Sequence, residues 1–148
     1  MTDCITKHFT WREATRSATA QARGLANDPD AEAQGCIEIT AECMESVRSL
    51  LGVPLEVTSW YRSPAVNKAV GGSKTSDHLT GYAVDFRAEG RDAKACAAQI
   101  AASPLLFDQL IWYPNQDRLH ISFAPPLRNE VMTRDPFSAS GYRNGLGK

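Results

Sequence analysis

Two stretches of strict alternation constrain this chain more than anything else in it. In Gly81-Tyr82-Ala83-Val84-Asp85-Phe86 the apolar Tyr82, Val84 and Phe86 alternate with Ala83 and Asp85, and in residues 118–123 Leu119, Ile121 and Phe123 alternate with His120 and Ser122. Successive side chains of a strand point to opposite faces, so each stretch reads as a half-buried strand, with Asp85 and His120 on the face away from the core. Residues 108–113 read as a further strand, joined to 118–123 in a hairpin around Pro114-Asn115-Gln116-Asp117. A sheet with one apolar face must bury it against another layer.

The remaining patterns supply that layer. Thr10-Trp11-Arg12-Glu13 has the form of a capping box and predicts a short helix over residues 11–17. Asn27-Asp28-Pro29-Asp30 is a turn with Pro placed to open a second helix, in which Ala33, Cys36, Ile37, Thr40, Met44, Val47, Leu50 and Leu51 recur at spacings of three and four until Gly52 ends it. Residues 54–59 form a short strand, Ser63-Pro64 opens a small helix that stops at Gly71-Gly72, residues 73–80 are polar loop, and residues 91–103 are Ala-rich and helical. The expected fold is α+β: a small antiparallel sheet with helices packed on one side. The domain is read as residues 1–126. Beyond Ala124-Pro125-Pro126 the chain turns polar, so residues 127–148 are expected to be a surface extension, partly mobile.

Composition narrows the classes of function. A chain of 148 residues has the length of one ordinary domain with its own core. Sixteen basic against seventeen acidic residues leave a net charge of -1, which disfavours a nucleic-acid partner. No apolar run approaches the ~20 residues that span a bilayer, so no stable membrane association is expected. Met1-Thr2-Asp3-Cys4-Ile5-Thr6-Lys7 lacks the features of a secretory signal, and synthesis in the cytoplasm is expected. Of the four cysteines, Cys36 and Cys43 lie seven apart in a helical stretch, about 10.5 Å and too far for a disulfide. All four, with Cys4 and Cys96, are read as reduced small hydrophobes.

Chemistry concentrates on Asp85, His120 and His78, which precedes Asp85 by seven residues in a Gly-flanked loop. Two histidines and a carboxylate are three metal ligands; three, with a fourth position left to water, is the pattern of catalytic zinc. Against this, a single His beside a strand is more often a satisfied, half-buried side chain. His8 is read as a capping or packing residue, and Trp11, Trp60 and Trp112 as core or cleft walls rather than a sugar platform.

Ser76-Asp77-His78-Leu79-Thr80-Gly81-Tyr82-Ala83-Val84-Asp85, succeeded at a distance by Leu119-His120-Ile121-Ser122, resembles the zinc DD-peptidase family, M15 or D-Ala-D-Ala carboxypeptidase-like, which shares its fold with the Hedgehog signalling domain. Thr58-Ser59-Trp60-Tyr61-Arg62-Ser63-Pro64, Val70-Gly71-Gly72-Ser73 and Phe107-Asp108-Gln109-Leu110-Ile111 support the likeness over roughly residues 5–124, and His8-Phe9-Thr10 with Glu13 resembles its phage-associated branch. The resemblance implies Zn²⁺ held by His78, Asp85 and His120. It implies that Arg62 faces the substrate, its guanidinium fork gripping a peptide carboxylate or the developing oxyanion. Ser76 would bind substrate or orient the loop. Family members commonly carry an acid three residues before the last histidine, and Asp117 holds that position as the expected general base, with Asp108 the next carboxylate to consider. This role requires a bend at Asn115-Gln116, because residues three apart on a strand face opposite ways. Other relatives place an acid at the end of the preceding strand, where this chain has Tyr113.

The same resemblance implies a monomeric zinc metallopeptidase acting on the stem peptide of peptidoglycan, at D-Ala-D-Ala or at L-Ala-D-Glu. A phage or prophage lysis enzyme reaching the cell wall through a holin is the expected setting. Two rivals share the scaffold: a non-catalytic zinc-containing binding module, marked by a non-acidic residue in place of the base, and a virion component with the same chemistry.

Overall fold

The longest element shows how directly the sequence is obeyed. Asp30 accepts a hydrogen bond from the Ala33 amide at 2.8 Å and caps a helix, while Gly52, in the left-handed region at φ 73°, ends it. Between them Ile37, Thr40, Ala41, Met44, Val47 and Leu51 form one buried stripe. A computed structural model describes residues 3–147. Met1, Thr2 and Lys148, assigned by sequence to the two ends of the chain, lie outside the described residues. In chain order the elements are α1 (Trp11–Thr15), α2 (Ala18–Arg23), α3 (Ala31–Leu51), β1 (Leu55–Ser59), α4 (Pro64–Ala69), β2 (Ala83–Ala88), α5 (Ala93–Ala102), β3 (Gln109–Tyr113), β4 (Arg118–Ser122), β5 (Glu130–Arg134) and β6 (Tyr142–Asn144).

The strands form one sheet in the order β1-β2-β4-β3-β5-β6, antiparallel throughout except for the parallel pair of β3 and β5. The core lies between one sheet face and the helices: Ile37, Met44 and Val47 of α3 and Cys96, Ala97 and Ile100 of α5 join Val84, Phe86, Leu110, Leu119 and Ile121 of the strands. This is the expected α+β arrangement. Trp60 is fully buried there, edge-on to Phe9 at 6.1 Å between ring centroids. Cys4, Cys36, Cys43 and Cys96 are free thiols, only Cys96 being fully buried. His8 bonds Glu45 of α3 at 2.7 Å and pins the N-terminal segment to that helix. No helix among the described residues is long and apolar enough to cross a membrane.

Two features differ from the sequence reading. The predicted helix at 11–17 keeps its Thr10–Glu13 capping box but stops at Thr15, because Arg16 is extended and Ser17 caps the separate α2. Ser competes for caps better than it serves helix interiors. The segment after 126, expected to be a surface extension, instead adds β5 and β6 to the sheet. It is stitched on at its root: Arg128 reaches Asp108 through Nε and Nη2, both at 2.9 Å, and Asn129 and Phe107 exchange two hydrogen bonds. Thr133 is buried on β5 and donates to the Gly145 carbonyl at 2.7 Å.

Gly81, at the turn into β2, is the one glycine on which the site's approach to α3 depends. Its φ is +92°, and a Cβ there would lie 2.7 Å from Ile37 Cγ1 and 3.1 Å from the Ala33 carbonyl oxygen. Gly81→Ala is therefore expected to cost about 2 to 4 kcal/mol, an overpacked contact added to a strained backbone. It should appear as a lower urea midpoint at unchanged slope.

Candidate active site

Asp85 and His120 meet because β2 and β4 are neighbours in a register that sets the two residues directly opposite each other. Their apolar neighbours go to the helices, so both polar side chains stand on the open face. His78 joins them from the loop before β2. That loop is held by its backbone: the Arg62 amide donates to the His78 carbonyl at 2.9 Å, the Tyr82 and Ala83 amides to the Asp77 carbonyl at 3.1 and 3.2 Å, and the Trp60 indole to the Gly81 carbonyl at 2.9 Å.

The hydrogen bonding of His78 settles its tautomer. Nδ1 lies 2.5 Å from the Trp60 carbonyl oxygen, which can only accept, so Nδ1 carries the proton and Nε2 offers a lone pair. Nε2 is aimed at Asp85 Oδ1, 3.2 Å away, and His120 Nδ1 lies 2.9 Å from the same oxygen. The donor atoms of the three residues all lie within 4.8 Å of one another. Ligands on a tetrahedral zinc at bonds of ~2.0–2.1 Å are ~3.3 Å apart, and a metal-bound imidazole regularly gives its other N–H to a carbonyl or carboxylate. The trio fits that ion in atom type, spacing and outer hydrogen bond.

Electrostatics prepare the same task. Burial disfavours the charged form of His78 and lowers its pKa, although Asp85 pulls the other way. Burial alone would raise Asp85, but His78 and His120 outweigh it and hold the carboxyl well below its usual range. A neutral imidazole beside an ionised carboxylate is the state in which both are ligands.

The trio opens into a cleft of about 810 Å³, whose walls include Arg62, Ser76, Tyr113, Arg118, Arg128 and Tyr142. Arg62 lies two residues after Trp60, just before the Ser63 cap of α4, and its Nη2 donates to Ser76 Oγ at 3.1 Å. Its Nε is buried without a hydrogen-bond partner, and burial lowers its pKa. Ser76 Oγ also accepts from the His78 amide at 3.2 Å, so this hydroxyl couples the arginine to the ligand loop.

Asp117 is not in the cleft, which corrects its expected role as the base. The bend at residues 114–116 exists as a short 3-10 turn, but it delivers Asp117 in the left-handed region at φ 47° with Oδ1 accepting from the Ala93 amide at 3.2 Å. The cause is the period of two along β4. Arg118 and His120 face the cleft and Leu119 the helices, and Asp117, just before the strand, turns to the start of α5, where its carboxylate takes the Ala93 amide beside the Asp92 cap. Asp117→Asn is accordingly expected to leave turnover intact, far from the ~10²-fold loss that a general base would show. Steady-state hydrolysis rates check this.

Asp108 does line the cleft, but its two oxygens are occupied by Arg128. Tyr113 stands at the cleft end of β3 with the Arg118 guanidinium 4.0 Å above its ring. Burial, helped by Tyr142 and Asp85, pushes its phenol well up, so it is a hydrogen-bond donor at neutral pH. Sequence reasoning missed Arg118, Arg128 and Tyr142 as cleft residues. For Arg118 a signal was present, since it lies two residues before His120 on the same strand.

No curated protein matches this chain. The family model described as Peptidase M15 matches residues 7–122, from the segment before α1 to the end of β4, so that Arg62, Ser76 and the whole His78, Asp85 and His120 trio fall inside it while β5 and β6 fall outside. On that match, which runs through most of the sheet and every donor of the trio, the chain belongs to the peptidase M15 family.

Proposed function

We propose that the chain is a zinc peptidase that hydrolyses stem peptides of bacterial peptidoglycan, at D-Ala-D-Ala or at L-Ala-D-Glu. The observation that carries this reading is the aim of His78 Nε2, its lone pair turned toward Asp85 with the donor atoms of His78, Asp85 and His120 gathered within 4.8 Å of one another in an open cleft. When bound there, zinc supplies Lewis-acid polarisation of a carbonyl and acidifies water near neutral pH. His78, Asp85 and His120 would hold it. Arg62, a half-buried cation that no carboxylate contacts among the described residues, binds a peptide carboxylate or the negative charge that develops at the scissile carbonyl. Ser76 orients that guanidinium, and the protonated Tyr113 donates a hydrogen bond to substrate in the cleft.

The setting proposed is a monomeric lysis enzyme of a phage or prophage, made in the cytoplasm and reaching the wall through a holin. Its support is the His8-Phe9-Thr10 opening with Glu13. The test is incubation of the zinc-loaded protein with purified peptidoglycan and mass identification of the new termini. Released D-Ala identifies a carboxypeptidase, and a new L-Ala carboxyl end with a new D-Glu amine identifies an endopeptidase. A virion component with the same chemistry would be recognised by its co-purification with particles.

A second reading draws on one observation: Asp117 lies outside the cleft and the non-acidic Tyr113 lines it. A zinc-containing binding module would sediment with peptidoglycan and produce no new termini.

A further inference from the structure

Asp85 has two oxygens with separate partners. Oδ1 is the atom that faces His78 Nε2 and His120 Nδ1, while Oδ2 accepts from Arg118 Nη1 at 2.6 Å, a short, charge-assisted bond. We propose that Arg118 holds Asp85 to one-oxygen ligation and thereby keeps a coordination position free for substrate and water. This inference rests on the metal-centre reading above and concerns a positioning residue, one that acts through Asp85.

The need for such a device comes from the ligand count. Carboxylates bind metal ions through one oxygen or two. With three protein ligands and a water on the ion, a second Asp85 oxygen would raise the coordination number and crowd the position that distinguishes a catalytic site from a closed, structural one. Rotation of Asp85 about its terminal bond is all that this would take. Arg118 opposes it by occupying Oδ2, and a buried carboxylate oxygen does not leave a guanidinium without loss.

Arg118 is itself fixed, so it cannot swing with a rotating carboxylate. Its Nε donates to Gln116 Oε1 at 2.6 Å, its guanidinium rests on the Tyr113 ring at 4.0 Å, and its side chain is only 18% exposed. The turn that carries Gln116 is tied back by Arg87, whose Nη2 donates to the Gln116 carbonyl at 3.1 Å. Placement is set by the sheet: Arg118 is two residues before His120 on β4 and pairs with Tyr113 of β3, so cation, stacking ring and metal ligands share one face. Lysine has one compact head and no plane to stack, so only a partial substitute is available.

The test is the visible spectrum of the full chain stripped with a chelator and reloaded with cobalt(II), whose absorption is intense in four-coordinate sites and weak at higher coordination. The parent protein is expected to show the intense band. Arg118→Met, which keeps the stem and removes the donors, is expected to lose most of that intensity while retaining bound cobalt, and with zinc to hydrolyse stem peptides ~10- to 100-fold more slowly. Arg118→Lys is expected to restore part of both. An Arg118→Met spectrum equal to the parent's overturns the proposal, as does loss of cobalt altogether, which would make Arg118 a determinant of affinity alone. Should Arg118→Met fail to fold, Arg118→Gln carries the same comparison. A parent that binds no cobalt removes the metal centre as well, whereas a cobalt-binding parent without peptidase activity removes only the hydrolytic reading.

Discussion

His78→Ala will leave the protein without bound zinc and without measurable hydrolysis of peptidoglycan. The parent is expected to carry about one zinc per chain, and a site with three protein ligands has no spare donor to keep the ion when one is removed. Loss of the ion's contribution, several kcal/mol of transition-state stabilisation, amounts to a fall of about 10³-fold or more. His78 is also buried and its Nδ1 satisfies the Trp60 carbonyl, so the substitution leaves that oxygen and a small void behind. Asp85→Asn separates the two consequences. It keeps the side-chain volume and a hydrogen-bonding oxygen while discarding the charge, so zinc should be lost with the fold retained. Metal analysis and circular dichroism on both variants check this, and full zinc occupancy in either would refute the trio. Acid should act in the same direction. Protons compete with the ion for the two imidazoles, and burial keeps His78 neutral below the ordinary histidine range, so zinc should be retained at neutral pH and released as pH falls. Dialysis across a pH series measures it.

The period of two along β2 and β4 made most of the site legible. It put Asp85 and His120 on the face away from Val84, Phe86, Leu119 and Ile121, and the sheet then placed them opposite each other. His78 required more than periodicity, because its position depends on the carbonyl of Trp60 and on backbone bonds across the loop; its seven-residue offset from Asp85 made it a candidate ligand, and the resemblance added the motif around it. The same period argues against Asp117. Odd-numbered residues of β4 belong to the core face, and the turn at 114–116 is too short to reverse that for the residue next to the strand. Motif spacing pointed one way and strand geometry the other, and geometry prevailed. The tail was illegible for a different reason. β5 pairs in parallel with β3, a non-local partner reached through a cis Pro125-Pro126 turn, and its attachment depends on Arg128 meeting Asp108 and Asn129 meeting Phe107. No local pattern announces such contacts. The tail's polar composition instead read as loose surface.

Arg62→Lys is the second large effect expected, and it is the more instructive because charge is conserved. In the structure the Arg62 Nη2 donates to Ser76 Oγ, its Nε is buried with no partner, and the guanidinium lines the cleft beside the trio. A half-buried cation with no carboxylate in contact among the described residues is costly to maintain, and burial lowers its pKa although the charge of Asp85 acts the other way. The cost is recovered when an anionic group arrives and accepts two parallel hydrogen bonds from the fork. Lysine brings the charge but neither the plane nor the second donor, and its ammonium cannot bond Ser76 and an incoming oxygen in the same geometry. Turnover should therefore fall by about 10²-fold, the scale seen when a donor to developing negative charge is removed. Zinc content should stay at the parental level, because Arg62 is not a ligand. The division between kcat and KM then assigns the role. A fall in kcat at constant KM places the guanidinium on charge that develops during the reaction, whereas a raised KM at constant kcat places it on a carboxylate already present in the bound peptide. Unchanged values of both would put Arg62 outside the reaction, and its unpaired Nε would then be a feature of packing alone.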